Sequence, residues 1–550
     1  MKRFSIFITI ILLVCALFFT TASASTELEI DDQKIVGSGT ACIVFTANSF
    51  GHVQENNMEG EETLGYAALK GFIDKETKEA SGKLVLDGGN AFGGSAFAIF
   101  DQGKAVAQII SSVDYDAIML GDYDLNYNQA ALSALKKEAG VEFLSTNIKK
   151  DGQALFAPSF IKKIGGIKIG VIGVTSPQAA ESIHNWDNLD YGTEESIIAD
   201  VQATIQSLQA DGVQIIIAIT RLKNDSPTGF TVEKLIKQTE GLDYIFDVSF
   251  DNVGDGSITS TGKTIVFRIK EDLSQIAMLT IKNSEGKLSL QPQIFDAADL
   301  LPKITDDTPL NEKIKQMAAD RQQVLQKTVF VNPVGVLDGS KETILAKESN
   351  LTRLITSAYQ EAAGADIALL SGNEIKSSLY EGTVTKGQIL EAVPFSEDVL
   401  VTQKIPGSII LEALKEGLDP QKESFLHGAG LAVTYRDAGA EREIVKVLVD
   451  GKKLDADQEY LVAMSNFLAR GGDGFSMFAS TETAKTFDKI DSVVTDYFTQ
   501  ITDKQILDNE DEVRFIAQNA DSVGWFPLIL VVVIIAAAIV AVVFIIKKRK

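Results

Sequence analysis

Between about residues 38 and 250, short β-branched apolar runs alternate with stretches whose apolar positions recur at helical spacing. The runs at 41–46, 84–86, 117–120, 167–174 and 214–220 predict strands, and the stretches at 103–112, 128–139 and 195–210 predict helices. This rhythm implies a layered α/β domain. From about 257 to 293 the pattern changes to strands alone, as at the closing edge of a sandwich. Thr308-Pro309 then predicts a helix start, with Thr308 as cap and Pro309 in the first turn. The polar stretch 310–327, with sparse apolar positions, reads as a solvent-facing connecting helix, and 331–517 as a second α/β unit. No internal repeat is found.

The two ends carry an address. Met1-Lys2-Arg3, an apolar run from Phe4 to Thr20 and Ala22-Ser23-Ala24 form the pattern of a secretory signal peptide, residues 1–24. At the other end, 525–546 contains no charge and is followed by Lys547-Lys548-Arg549-Lys550. About 20 apolar residues span a bilayer as a helix, and a basic cluster holds its end in the cytoplasm. The expectation is a plasma-membrane protein with a single-pass C-terminal anchor, its ectodomain outside and 547–550 inside.

Of two cysteines, Cys15 leaves with the leader and Cys42 lies alone on an apolar strand, which reads as a small core residue. Acidic residues outnumber basic ones, 75 to 51. A surface of that sign repels polyanions, which argues against nucleic acid as a partner.

Candidate chemistry lies where the predicted strands end. The first runs into Ala47-Asn48-Ser49-Phe50-Gly51, and the next into Asp87-Gly88-Gly89-Asn90-Ala91-Phe92-Gly93-Gly94. These are followed by Gly121-Asp122-Tyr123-Asp124-Leu125-Asn126, Thr220-Arg221-Leu222 and Asp247-Val248-Ser249-Phe250-Asp251. In order and spacing the segments resemble the bacterial-type 5′-nucleotidase family, which includes UDP-sugar hydrolase-like members and belongs with the calcineurin-like metallophosphoesterases. The resemblance implies an N-terminal metallophosphatase-like α/β/β/α sandwich (25–303), a linking helix (304–330) and a C-terminal 5′-nucleotidase-type α/β domain (331–519).

The same resemblance exposes a pattern of replacements. The family turn reads Asn-Asp-x-His-Gly, and its metal-binding Asp and His are Asn48 and Phe50 here. The bridging Asp is Asn90, the metal-binding Asn is Asp122, and three further histidine ligands are Arg221, Ser249 and Asp251. The family's transition-state His and its orienting Asp become Tyr123 and Asn126. None of the three histidines, His52, His184 and His427, falls on a ligand position. A two-metal hydrolase needs cations about 3.5–4 Å apart that generate hydroxide and clamp the phosphoryl oxygens. With these positions altered together, no metal and no cofactor are expected. The alternative is a divalent ion (Mn, Zn, Mg or Ca), including calcium held by Asp122, Asp124, Asp247 and Asp251. Arg221 either joins Asp122 and Asp251 in an internal salt-bridge network or points to solvent; the sequence leaves both open.

The C-terminal unit keeps more of the pattern. Glu348-Ser349-Asn350-Leu351, Ser371-Gly372-Asn373-Glu374-Ile375-Lys376, Pro394-Phe395 and Gly471-Gly472-Asp473-Gly474-Phe475 are close matches. The resemblance implies a nucleoside pocket in which Phe425 and Phe475 stack on the base, with Lys376, Asn373 and Asp473 as further contacts. Lys376 stands for an arginine and Glu397 for an asparagine, which favours an uncharged ligand over a nucleotide. The competing reading keeps the two phenylalanines for packing. Two functions follow: a non-catalytic member of the family that binds a nucleoside-like ligand or a protein partner, or an active nucleotide phosphohydrolase with an unusual metal site.

Overall fold

The computed structural model describes residues 28–31, 38–58, 62–177, 189–222, 229–248, 256–285, 287–395, 397–422 and 424–519. The expected leader 1–24 and the apolar stretch 525–546 with its tail lie outside the described residues. Among the described residues no helix is long and apolar enough to cross a membrane. The longest of them, Thr308–Leu325, carries lysine, arginine and acidic side chains throughout. The expectations of a single-pass anchor and of a plasma-membrane location are corrected on this finding.

Two sheets face each other in the N-terminal part. Among the described residues the first has seven strands, in the order Leu28–Asp31, Lys287–Asp296, Gln275–Ser284, Ser38–Thr46, Gly82–Asp87, Ala117–Met119 and Glu142–Leu144. The second has six, in the order Ser257–Thr261, Thr264–Arg268, Tyr244–Asp247, Ile215–Arg221, Ile167–Thr175 and Ser159–Ile164. Strands such as Ile215–Arg221 are buried along their whole length, because a parallel sheet covered on both faces has no solvent side. Between the sheets, Phe45 stacks on Phe246 at 4.5 Å and Phe246 meets Phe267 at 4.8 Å between ring centroids. Tyr66–Glu76, Lys104–Ile110 and Gln129–Ala139 cover the outer face of the first sheet, and Glu194–Ala210 and Val232–Gln238 that of the second. The predicted α/β/β/α layering is therefore present.

Local chemistry sets the boundaries. Asn128 caps the helix after it by accepting from Ala131 N at 3.0 Å. The stretch expected as helix over 103–112 is shorter, Lys104–Ile110, with Gly103 at φ 78° turning the chain into it. Asp307, not Thr308, caps the linking helix: its Oδ1 accepts from Leu310 N at 2.8 Å, while Pro309 sits in the first turn as expected. That helix is also less solvated than its composition suggests, because Leu310 and Ile314 bury into the N-terminal core.

Among the described residues the C-terminal part has a five-stranded sheet, Leu426–Ala429, Ile367–Ser371, Glu459–Ser465, Val399–Pro406 and Thr483–Lys489. Beside it stand a four-stranded sheet ending in Phe515–Asn519 and the pair Thr328–Leu337 with Leu379–Thr385. Ser349 opens the helix Asn350–Ala363 with a capping box, and Arg514 ties the last strand to it through Arg353 O and the Thr356 hydroxyl.

Truncating Phe246, at the centre of the stack between the sheets, leaves a cavity that neither sheet can close. Phe246→Ala is expected to lower stability by about 3–5 kcal/mol, measured as the shift of the urea midpoint at constant slope.

Candidate functional site

The parallel strands of both sheets end on the same side, where open α/β sheets place their ligand crevices. Five of those strand ends contribute. Thr46 leads into the turn of Asn48 and Phe50, Asp87 into Asn90, Met119 into Asp122 and Tyr123, and Arg221 and Asp247 end neighbouring strands of the second sheet. Asn48, Phe50 and Asn90 have φ of 53°, 48° and 56°. Asparagine tolerates the left-handed region, whereas a ring-bearing residue there costs about 1–2 kcal/mol. Phe50 is pinned from both sides: its N–H donates to Asn90 O at 2.8 Å and its carbonyl accepts from Ser95 N at 2.7 Å. Its ring meets Tyr123 edge-on at 5.3 Å.

Arg221 organises the centre. It is 3 % exposed, and its Nη2 donates to Asn48 Oδ1 at 2.5 Å and to Gly88 O at 3.4 Å. Nη1 lies 3.4 Å from Asp122 Oδ1. Asn90 Nδ2 donates to Asn48 Oδ1 at 3.2 Å and to Asp122 Oδ1 at 3.1 Å, and Asn90 Oδ1 accepts from Tyr123 N at 3.0 Å. Three positions at which the resemblance implies metal ligands are therefore bonded to one another around the guanidinium that occupies a fourth. Of the two readings of Arg221 left open by the sequence, the buried one is present in its Asp122 half. Ser249 and Asp251 lie outside the described residues, and so does His184.

This donor set does not fit a pair of divalent cations. Asn48 and Asn90 offer neutral amides already engaged, Phe50 offers nothing, and a fixed positive charge stands among them. Two of the four carboxylates in the calcium reading are also committed elsewhere. Asp124 accepts from the backbone N–H groups of Asn90, Phe92 and Gly121 at 2.7, 2.9 and 3.0 Å, and Asp247 accepts from Thr220 and Arg268. Both carboxylates hold loops in place instead of facing the cleft.

Beneath the cluster lies a buried polar layer that the sequence reading passed over. Asp87 Oδ2 accepts from the Thr46 hydroxyl at 2.6 Å and Oδ1 from Gly89 N at 2.8 Å, and Thr46 also bonds Tyr115. Burial pushes Asp87 up to about 7 despite those bonds, with Asp124 adding to the rise and Arg221 opposing it. Burial likewise pushes Asp124 up to about 6 against its three backbone donors. Glu271, also missed, has its carboxyl raised by burial and then by Asp272, with Arg221 acting the other way. The available signal was a polar residue closing an apolar strand (Thr46, Asp87) and an acidic pair at a turn (Glu271-Asp272). His52, one residue beyond the turn, pairs with Asp272 at 2.8 Å and stays outside the cluster.

Across the cleft, Lys376 reaches from the C-terminal part toward the N-terminal one. Its Nζ lies 5.9 Å from the Tyr123 ring centroid and 5.5 Å from that of Phe395. Crowding by surrounding protein lowers its pKa, while Asp473 and Asp122 act to raise it. Asp473 accepts from the Ser371 hydroxyl, which also accepts from Asn373 N at 3.3 Å. Glu397 accepts from Gln102 of the N-terminal part and from Lys489.

The expected aromatic clamp is corrected. Phe425 is 1 % and Phe475 0 % exposed, both inside the C-terminal core. Phe425 packs on His427 and Phe515, and Phe475 on Phe478, so neither presents a ring face to a base. His427 is buried with them, its Nε2 paired with Ile344 O at 2.8 Å.

The fold and the cleft define a two-domain α/β protein with a metallophosphatase-type sandwich. Residues 332–480 match the family model for the 5′-nucleotidase C-terminal domain. The chain is 25 % identical over 519 residues to a 5′-nucleotidase of Mus musculus, covering 85 % of this chain and 88 % of that one. It is 25 % identical over 481 residues to protein UshA of Yersinia enterocolitica, covering 79 % and 86 %. Against the trifunctional nucleotide phosphoesterase YfkN of Bacillus subtilis, at 23 % identity, it spans 32 % of that protein's length. A 5′-nucleotidase precursor structure from Thermus thermophilus superposes with a TM-score of 0.66 at 22 % identity, over 87 % of this chain and 99 % of that one, and shares the fold. The chain thus carries a 5′-nucleotidase C-terminal domain at 332–480, is similar to 5′-nucleotidases over most of its length and shares their fold.

Two outcomes test the site. Arg221→Ala strips one partner from a buried ion pair and is expected to destabilise by about 3 kcal/mol; equal melting midpoints for variant and parent would dissolve the network. Asp87 is protonated in the fold up to about pH 7 but ionised in the unfolded chain above its ordinary value of 3.8. Its contribution to stability is therefore present at low pH and falls as pH rises between those values. Asp87→Asn should flatten that part of the melting-temperature profile, read between pH 4 and pH 8.

Proposed function

We propose that this chain is a non-hydrolytic member of the 5′-nucleotidase family that acts by binding. The observation that carries the reading is the Arg221 guanidinium, 2.5 Å from Asn48 Oδ1 and 3.4 Å from Asp122 Oδ1. In metal-assisted phosphoryl transfer the ions generate the nucleophile and neutralise the developing charge. A guanidinium supplies charge but cannot lower the pKa of a water by coordination. Tyr123, where the resemblance implies a histidine, is unsuited to acid–base work near neutrality, because burial raises its phenol further. With Phe425 and Phe475 committed to the core, base stacking is not the mode of binding. The partner proposed for the cleft is a ligand or protein surface that meets Lys376, Asp473 and Tyr123.

The second reading, a nucleotide phosphohydrolase with a non-standard metal site, is favoured by the names of the relatives matched over most of their length, 5′-nucleotidases among them. One assay separates the two. The purified chain incubated with AMP and Mn²⁺ is expected to release no phosphate above a protein-free blank. Phosphate release that disappears in Asp122→Ala would establish the hydrolase reading instead.

A further inference from the structure

A cavity of about 720 Å³ opens between the N-terminal part, the linking helix and the C-terminal part. None of Asn48, Asn90, Asp122 and Arg221 lines it, so it is separate from the cluster described above. Its walls come from the turn 51–56 with Asp272, from the second half of Thr308–Leu325, and from Thr385 with the helix Lys386–Ala392. The volume lies within the range of small-molecule sites, about 300–1,000 Å³.

The charges on its walls are matched internally. His52 pairs with Asp272 at 2.8 Å, and Glu391 also acts on His52 from the opposite wall. Arg321 is held by Asp101 and lies 4.8 Å over the Phe97 ring, and Lys315 lies 3.3 Å from Glu312. A phosphate or carboxylate entering this space finds the enclosed cation Arg321 already held by Asp101, with Lys315 only at the exposed rim. What remains is amide chemistry: Gln54, Asn56, Gln322, Gln326 and Gln388 all line the cavity. Gln388 uses its Oε1 to accept from Thr385 N at 2.8 Å, a cap that leaves its NH₂ group for another partner. Side-chain amides both donate and accept, as do hydroxyl groups, and Glu391 adds an acceptor. The small side chains Ala318 and Ala319 keep the helix wall open.

We propose that this cavity is a binding site for a neutral, polyhydroxylated ligand of oligosaccharide size. Such a ligand matches the amide-rich lining, carries no charge for the paired walls to reject, and is long enough to touch all three segments. The proposal stands apart from the question of hydrolysis, since it uses none of the cleft residues.

The experiment is calorimetric titration of the full chain with maltotriose, cellotriose and chitotriose, with glutamate, AMP and inorganic phosphate as charged comparisons. Saturable heat is expected with at least one neutral trisaccharide and with none of the charged compounds. Ala319→Trp, which fills the space from an exposed helical position, should abolish that heat. The pair Gln54→Ala and Gln322→Ala, both at exposed positions, should weaken binding by about tenfold or more, and circular dichroism of both variants verifies that they fold. Absence of binding by all three trisaccharides up to about 10 mM overturns the proposal. So does binding that both variants leave unchanged, or charged compounds that bind with the same sensitivity to the variants.

Discussion

A single guanidinium decides the character of the cleft. Arg221 ends a strand buried on both faces, so its side chain emerges where the parallel strands of the two sheets converge, with nowhere to go but into the space between their loops. A cation enclosed there must be met by acceptors or it is expelled. Asn48, Gly88 O and Asp122 meet it, and Asn90 braces two of them. Because the charge is covalently placed, the surrounding loops are set by hydrogen-bond directions instead of by a coordination sphere. The left-handed turn at Phe50 and the Asp124 clasp over three backbone N–H groups belong to the same arrangement.

The acidic layer below depends on it too. Burial raises both Asp87 and Asp124, Asp124 adds to the rise at Asp87, and Arg221 is the charge that offsets both. Removing it therefore alters more than one bonded contact. Glu271 senses the same charge from another loop, which makes the guanidinium the shared neighbour of three separate chain segments.

The layered fold was legible because buried parallel strands read as continuous apolar runs and the helices over them keep a helical period. The clearest miss in boundaries, Asp307 in place of Thr308 as cap, is a one-residue ambiguity between two good capping side chains. The location of Arg221 was legible only as a question, since a terminal arginine on a strand can lie inward or outward until its acceptors are known. Phe425 and Phe475 misled because a motif fixes residue identity without fixing which way a ring turns. Here the neighbouring rings Phe515 and Phe478 draw them into the core. Asp87, Thr46 and Glu271 carried only a faint signal for the opposite reason: each looks like an ordinary residue at a strand end or turn until burial isolates it from water.

The linking helix has one further consequence. Its first half is bonded to the N-terminal part, through Leu310, Ile314 and the Lys313 ammonium on Gln108 O. Its last turn meets the C-terminal helix through Leu325 and Leu390, beside Ala96 and Ile99. The helix is thus fixed to the first body along its first half, and the non-helical joint is confined to Gln326-Lys327, where Lys386 N donates to Lys327 O. That two-residue joint and the Leu325–Leu390 contact therefore fix how far apart the walls of the cavity beside the helix stand.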